Sequence, residues 1–253
     1  MSMKVKEVFA KTVLTRTAIV GFDYCLNPYV GCGHGCKYCY ASFMKRFTGH
    51  KEPWGEFIDV KVNAPSLLKK QLQRAKLGMV AISTVTDPYQ PLEKKYEITR
   101  RCLEALLDKQ FPVNLLTRSP LCLRDMDLFK RFNHIKVGLT MSTHDENIKR
   151  IFEPGSPAIE SRAKALRTLH LEKVKTYAFV GPLLPMDSKT LVQMLEGAVD
   201  EVLIDKMNYP NKVKGLYHKH GLDDYLKEDY FNVIGIDLKE RFEKKGIPVT
   251  MIF

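Results

Sequence analysis

Gly31-Cys32-Gly33-His34-Gly35-Cys36-Lys37-Tyr38-Cys39-Tyr40 places three cysteines within eight residues at the spacing C-x3-C-x2-C. Thiolates this close repel one another and are good ligands for a soft metal, so a metal centre is the economical reading. Glycines at 31, 33 and 35 free the backbone to fold tightly enough to aim all three sulfurs at one point. Structural zinc ordinarily takes four Cys or His ligands in two separated pairs, and no second C-x2-C pair exists here; a Cys3His site using His34 or His50 is the zinc alternative. A disulfide is the weaker alternative, because all three cysteines belong to one loop of a chain lacking an export signal. The preferred reading is a [4Fe–4S] cluster held by Cys32, Cys36 and Cys39, with one iron open to a ligand.

With Tyr38 as the aromatic, the loop reads C-x3-C-x-aromatic-C and resembles the signature of the radical S-adenosylmethionine (SAM) superfamily. The resemblance implies that SAM chelates the open iron and that the reduced cluster passes an electron to its sulfonium. Methionine then leaves, and a 5′-deoxyadenosyl radical takes hydrogen from the substrate. The flanks narrow the likeness. Asn27-Pro28-Tyr29-Val30-Gly31-Cys32, then Tyr40-Ala41, then Thr86-Asp87-Pro88-Tyr89-Gln90-Pro91 with Glu93 resemble the branch that holds spore photoproduct lyase and its DNA-repair-photolyase-like relatives. An electron donor such as ferredoxin or flavodoxin is the partner such chemistry implies.

At 253 residues and 45% hydrophobic, with a mean hydropathy of −0.22, the chain suits one sizeable core. The expectation is a single domain over 1–253, with its core over 20–205 and residues 206–253 packing on it as an extension. No apolar run approaches the roughly 20 residues needed to cross a bilayer, and the first residues lack the apolar stretch of a signal peptide. A cytoplasmic protein with no membrane association is expected. Forty Lys and Arg against 29 Asp and Glu leave a net charge of +11. That balance attracts polyanions, nucleic acid first among them; a merely solvated basic surface is the bland alternative.

Outward from the loop, Gly21 to Val30 reads as a strand that delivers it, preceded by an N-terminal strand or hairpin over 1–22. Cys25, just upstream of the loop, reads as a small buried hydrophobe rather than a fourth ligand. A helix is expected from Ala41, a strand from Ile58 to Val62, and a basic amphipathic helix from Pro65 to Gly78. Strands at Met79–Ser83, Val113–Leu116, Ile135–Thr140, Val174–Val180 and Val202–Asp205 then alternate with helices at Glu93–Gln110, Leu123–Phe132, His144–Phe152, Ile159–Glu172 and Lys189–Val199. Such alternation implies α/β architecture with a parallel sheet. Six strands suit a partial (β/α)6 TIM-like barrel of the radical SAM type, with the cluster loop after the first strand. Asp223 to Lys245 reads as a helix and Val249 to Phe253 as a last strand at the barrel's edge.

In barrels of this kind ligands gather at the carboxyl ends of the strands. Thr86 and Asp87, past the second strand, stand where the family holds the SAM amino group. Arg118, past the third, could fork onto the methionine carboxylate or instead bind a phosphate of the substrate. Ser142, past the fourth, could serve ribose or carboxylate, and backbone groups at Val180, ending the fifth, could read adenine. Tyr38 and Tyr40 lie beside the cluster. Thr86 and Ser142 could equally cap the turns that follow, and Asp87 could be a turn residue before Pro88. Glu153-Pro154-Gly155-Ser156-Pro157 reads as a shaped loop, with Arg162 pairing or packing beneath it.

Lys206 to His220 interleaves four lysines with Tyr209, Tyr217 and two histidines, a mixture suited to phosphates and unstacked bases or to a solvated loop. A radical SAM enzyme acting on nucleic acid, by lesion repair or base modification, is therefore the leading expectation. A peptide or small-molecule substrate is the alternative, and a zinc-stabilised nucleic-acid-binding module the non-enzymatic one. Spore photoproduct repair itself is disfavoured. Spore photoproduct lyase returns a hydrogen from a cysteine shortly after the strand-two region, where this chain reads Ala81-Ile82-Ser83-Thr84.

Overall fold

Tyr24-Cys25-Leu26 and Val80-Ala81-Ile82 are buried at every position, the signature of strands covered on both faces. They sit side by side in a computed structural model that describes residues 3–253 and divides into two units, one of residues 3–35 with 40–137, the other of 36–39 with 138–253.

The first unit holds β1 (Lys4–Val8), β2 (Leu14–Arg16), β3 (Tyr24–Leu26), β4 (Tyr29–Val30), β5 (Phe57–Lys61), β6 (Val80–Ile82) and β7 (Val113–Thr117). Parallel pairing joins β3 to β6 and β6 to β7, while β2 lies antiparallel on β3. A separate three-stranded sheet sets β5 between β1 and β4. The helices are α1 (Ala64–Leu72), α2 (Glu93–Tyr96), α3 (Ile98–Leu107) and α4 (Met126–Phe129), with α1 packed on α3.

The second unit takes most of β8 (Ile135–Thr140), followed by β9 (Lys175–Val180), β10 (Glu201–Ile204) and β11 (Val249–Met251). β10 pairs in parallel with both β9 and β11. Its helices are α5 (Glu146–Phe152), α6 (Ile159–Leu171), α7 (Ser188–Leu195), α8 (Lys214–Lys219) and α9 (Glu228–Glu243). Asp145 and Asp187 cap α5 and α7 by accepting from the backbone N–H groups of the first turn.

The six expected strands all form, and the last strand joins the edge beside β10. Several boundaries differ for physical reasons. The strand expected from Gly21 to Val30 is two strands in two sheets, because Pro28 has no N–H for a ladder; its carbonyl instead accepts from Lys61 N at 3.2 Å. Of the strand or hairpin expected over 1–22, the described residues form strands, β1 and β2, that enter different sheets and so do not pair as a hairpin. Tyr40–Phe47 forms a 3-10 helix rather than an α-helix. The helix expected from Glu93 to Gln110 breaks at Glu97, where φ is 51°; the buried Glu93 carboxylate accepts from Thr99 N and Arg100 N and so caps the second segment. The helix expected from Leu123 is a 3-10 helix, Pro120–Asp125, leading into α4. α1 stops at Leu72, six residues short of Gly78.

Candidate functional site

In the first unit the cysteine loop begins at Gly31, whose φ of +85° is open to glycine; a Cβ there would lie 2.3 Å from Phe57 O. Thr86 Oγ1 donates to Gly31 O at 2.6 Å, and Gly33 N donates to Gln90 Oε1 at 3.1 Å. The turn after β6 thus grips the loop's first residues. Asp87 supplies the centre of that turn. Its Oδ1 accepts from Tyr89 N and Thr117 Oγ1, at 2.9 and 2.6 Å, and its Oδ2 accepts from Arg118 N at 2.8 Å and lies 3.4 Å from His34 Nε2. Burial pushes this carboxyl up, but the facing His34 and the donors Thr117 and Arg118 outweigh it and hold the group at about 2. Both oxygens of Asp87 are therefore engaged by the protein's own donors. Tyr40, expected beside the cluster, donates its hydroxyl to Thr84 O just past β6.

In the second unit Cys36 to Cys39 are tied to the end of α5. Lys37 N donates to Phe152 O at 2.8 Å, Cys39 N closes a turn onto Cys36 O at 3.2 Å, and Lys212 Nζ donates to Cys39 O at 2.9 Å. The buried Tyr38 hydroxyl donates to Glu153 and lies 3.3 Å from Ser142 Oγ, which donates to Gly181 O at 3.0 Å. Glu153 in turn faces Arg162 at 2.6 Å, both about 1% exposed. Other guanidinium N–H groups go to Thr140 O, Ser156 Oγ and Pro157 O, so the buried charge pair sits in a network of hydrogen bonds, the condition under which such a pair is tolerated. Arg162 does pair beneath the Glu153 loop. Val180 is fully buried at the end of β9, and its carbonyl accepts from Asp205 N.

The expected site residues thus fall into two sets, Tyr40, Thr86, Asp87 and Arg118 around the loop's start and Tyr38, Ser142 and Val180 around its end. Sequence reading did not find His34 against Asp87, nor Gln90 against Gly33; a histidine between two ligand cysteines was the available signal for the first. In the Lys206–His220 segment the structure forms a 3-10 helix, Pro210–Lys212, and α8. Tyr217 is fully buried with its ring 4.7 Å from Phe152, so it is core rather than a surface for bases; Tyr209 is half exposed.

The donor set fits an iron–sulfur cluster and a polar cosubstrate. Among the described residues no three His, Cys, Asp or Glu side chains converge on a point that would hold a single metal ion. A cubane offers each thiolate its own iron, so its ligands need no such convergence. In the first unit, Ser83 Oγ past β6 and the Gln90 side-chain nitrogen are buried without a hydrogen-bond partner in the protein, which suits polar atoms kept for a ligand. Ser83 also holds a left-handed φ of 65°, a strain typical of ligand-gripping positions.

An α/β chain with a three-cysteine loop at its strand ends belongs, as a class, with enzymes that bind a cluster and SAM. The sequence profile of the radical SAM superfamily matches residues 26–196. An uncharacterised protein of Methanocaldococcus jannaschii is 42% identical over 183 residues, which cover 72% of this chain and 69% of that one. A radical SAM Nalpha-GlyT isomerase of Pseudomonas phage M6 is 25% identical over 161 residues, 63% of this chain and 33% of that protein. Among solved structures, a spore photoproduct lyase mutant with bound AdoMet and dinucleoside spore photoproduct aligns with a TM-score of 0.70 at 14% identity, over 97% of this chain and 80% of that one; it shows a shared fold. This chain belongs to the radical SAM superfamily. It is an enzyme of that α/β fold, with SAM and a [4Fe–4S] cluster as its cofactors. When bound, the reduced cluster supplies the electron that cleaves SAM. Among the described residues no helix is long and apolar enough to cross a membrane.

Proposed function

We propose that this enzyme acts on nucleic acid, reversing a lesion or modifying a base, and that spore photoproduct repair is not its reaction. The observation that carries the substrate class is the net charge of +11, which concentrates a polyanion at the protein surface. In this reading Cys32, Cys36 and Cys39 hold the cluster. Arg118 takes the methionine carboxylate, and Ser83 offers its hydroxyl to SAM. Asp87 and Glu153 position the two ends of the loop rather than touch the cosubstrate, since their oxygens are occupied by Thr117, Arg118 and Arg162.

Thiol placement supports the exclusion. Cys102 in α3 and Cys122 ahead of α4 are fully buried, and burial pushes both thiols up, Cys122 further by the nearby Asp87 and Asp125 charges. A sulfur enclosed in this way does not meet a substrate.

Salt titration tests the substrate class. Binding of nucleic acid should weaken with a log–log slope of about −0.9 per phosphate contacted on duplex, or about −0.7 on single strands. Binding that is absent or indifferent to salt would move the substrate to a peptide or small molecule.

A further inference from the structure

We infer that the exposed face of the 3-10 helix Tyr40–Phe47 is a stacking platform for unpaired bases of a single-stranded nucleic acid. The inference rests on nucleic acid being the substrate class and adds where the strand is held and in what state. The helix follows Cys39 directly. From residue 24 to residue 51 the chain has no Asp or Glu, while Lys37, Lys45, Arg46 and Lys51 are cationic. Tyr40, Phe43 and Phe47 recur at intervals of three and four, and they are 43%, 39% and 68% exposed. Ala41 is the residue of this helix that is buried.

The rings form a row. Tyr40 and Phe43 stack with centroids 6.4 Å apart and planes at 28°, and Phe43 meets Phe47 edge-on at 6.3 Å. The Arg46 guanidinium lies over both Phe43 and Phe47, at 5.2 and 4.8 Å from their centroids. The row is tied down at both ends, by the Tyr40 hydroxyl on Thr84 O past β6 and by Lys45 Nζ on Lys51 O at 2.8 Å. Large rings held in contact with water are costly unless something covers them. Every base has a π-face, and rings interleaved with cations bind a strand through its bases and its phosphates together. A duplex hides its base faces. An acidic electron-carrier protein would use the lysines but has no need of three rings in file.

The test measures fluorescence anisotropy of labelled oligothymidylate and oligouridylate of about 15 nucleotides, within the usual single-strand site size, and of a duplex of equal length. The reconstituted enzyme is compared with its Phe43→Ala, Phe47→Ala and Phe47→Tyr variants, each checked for unchanged iron content. Removing either ring should weaken single-strand binding about tenfold, leave duplex binding unaltered and leave the salt slope in place, whereas Phe47→Tyr should retain the affinity. Arg46→Ala should flatten the slope by about 0.7. If the wild type binds single strands and the alanine variants bind them equally, the platform is refuted while the substrate class stands. If the wild type binds no nucleic acid, both fall. Loss of electron transfer from reduced flavodoxin with strand binding intact would make the surface a protein-docking site and overturn the inference.

Discussion

Asp87 shows how one side chain sets the entry to the cysteine loop. Its carboxylate gathers Tyr89, Thr117, Arg118 and His34 into a single buried knot, so its charge is stabilised in the folded chain beyond what water offers. With a folded value of about 2 against roughly 3.9 when unfolded, the group contributes stability above about pH 4, and that contribution is lost as pH falls toward 2. Asp87→Asn should therefore lower the unfolding free energy by about 2 kcal/mol at pH 6, and the gap from wild type in urea titrations should narrow steadily below pH 4. A gap of constant size down to pH 2.5 would mean that the carboxyl is not depressed. The residue was legible from its place before Pro88 at a strand end. Its partner His34 was not, because nothing local in the sequence announces a contact between two loops.

Among the elements, four helices end on the same device. In each, one backbone N–H reaches back five residues and the N–H before it reaches back three: Phe111 to Leu106 and Gln110 to Leu107 after α3, Val174 to Leu169 and Lys173 to His170 after α6, Leu222 to Tyr217 and Gly221 to His218 after α8, Ile247 to Phe242 and Gly246 to Glu243 after α9. The left-handed position is Gln110, Lys173, Gly221 and Gly246 respectively, so α8 and α9 have the residue without a Cβ penalty and α3 and α6 do not. Lys173 is exposed. Lys173→Gly should accordingly stabilise the chain by up to about 1 kcal/mol, and Gly246→Ala should cost about as much, read from melting temperatures. A Lys173→Gly variant that melts lower would contradict this account of the helix end. The strands were legible because short segments rich in apolar residues, such as Val80-Ala81-Ile82 and Val202-Leu203-Ile204, alternate with amphipathic helical stretches. The switch of sheet between β3 and β4 was less so, although Pro28 marks it. Tyr217 carried a readable sign that the Lys and His around it masked: Val213 and Tyr217 stand four apart and are both buried, the spacing of one helical face.

For the whole molecule, the fold class and the cofactors followed from alternating strands and helices and from one loop of ten residues. The division of that loop did not: residues 36–39 belong to the second unit although the chain on either side belongs to the first. The reason lies in long-range anchors such as Lys37 N on Phe152 O and the Tyr38 hydroxyl on Glu153, which no local pattern reveals. The proposed chemistry depends on the loop's three thiolates carrying a cluster with an open iron. The direct measurement is anaerobic reconstitution followed by incubation with SAM and a reductant, with iron, sulfide and 5′-deoxyadenosine quantified for the wild type and for Cys36→Ala. The account predicts a brown wild-type protein with about four irons and four sulfides per chain that releases 5′-deoxyadenosine, and a Cys36→Ala variant that releases none. A colourless, iron-free wild type, or undiminished 5′-deoxyadenosine from Cys36→Ala, would contradict it.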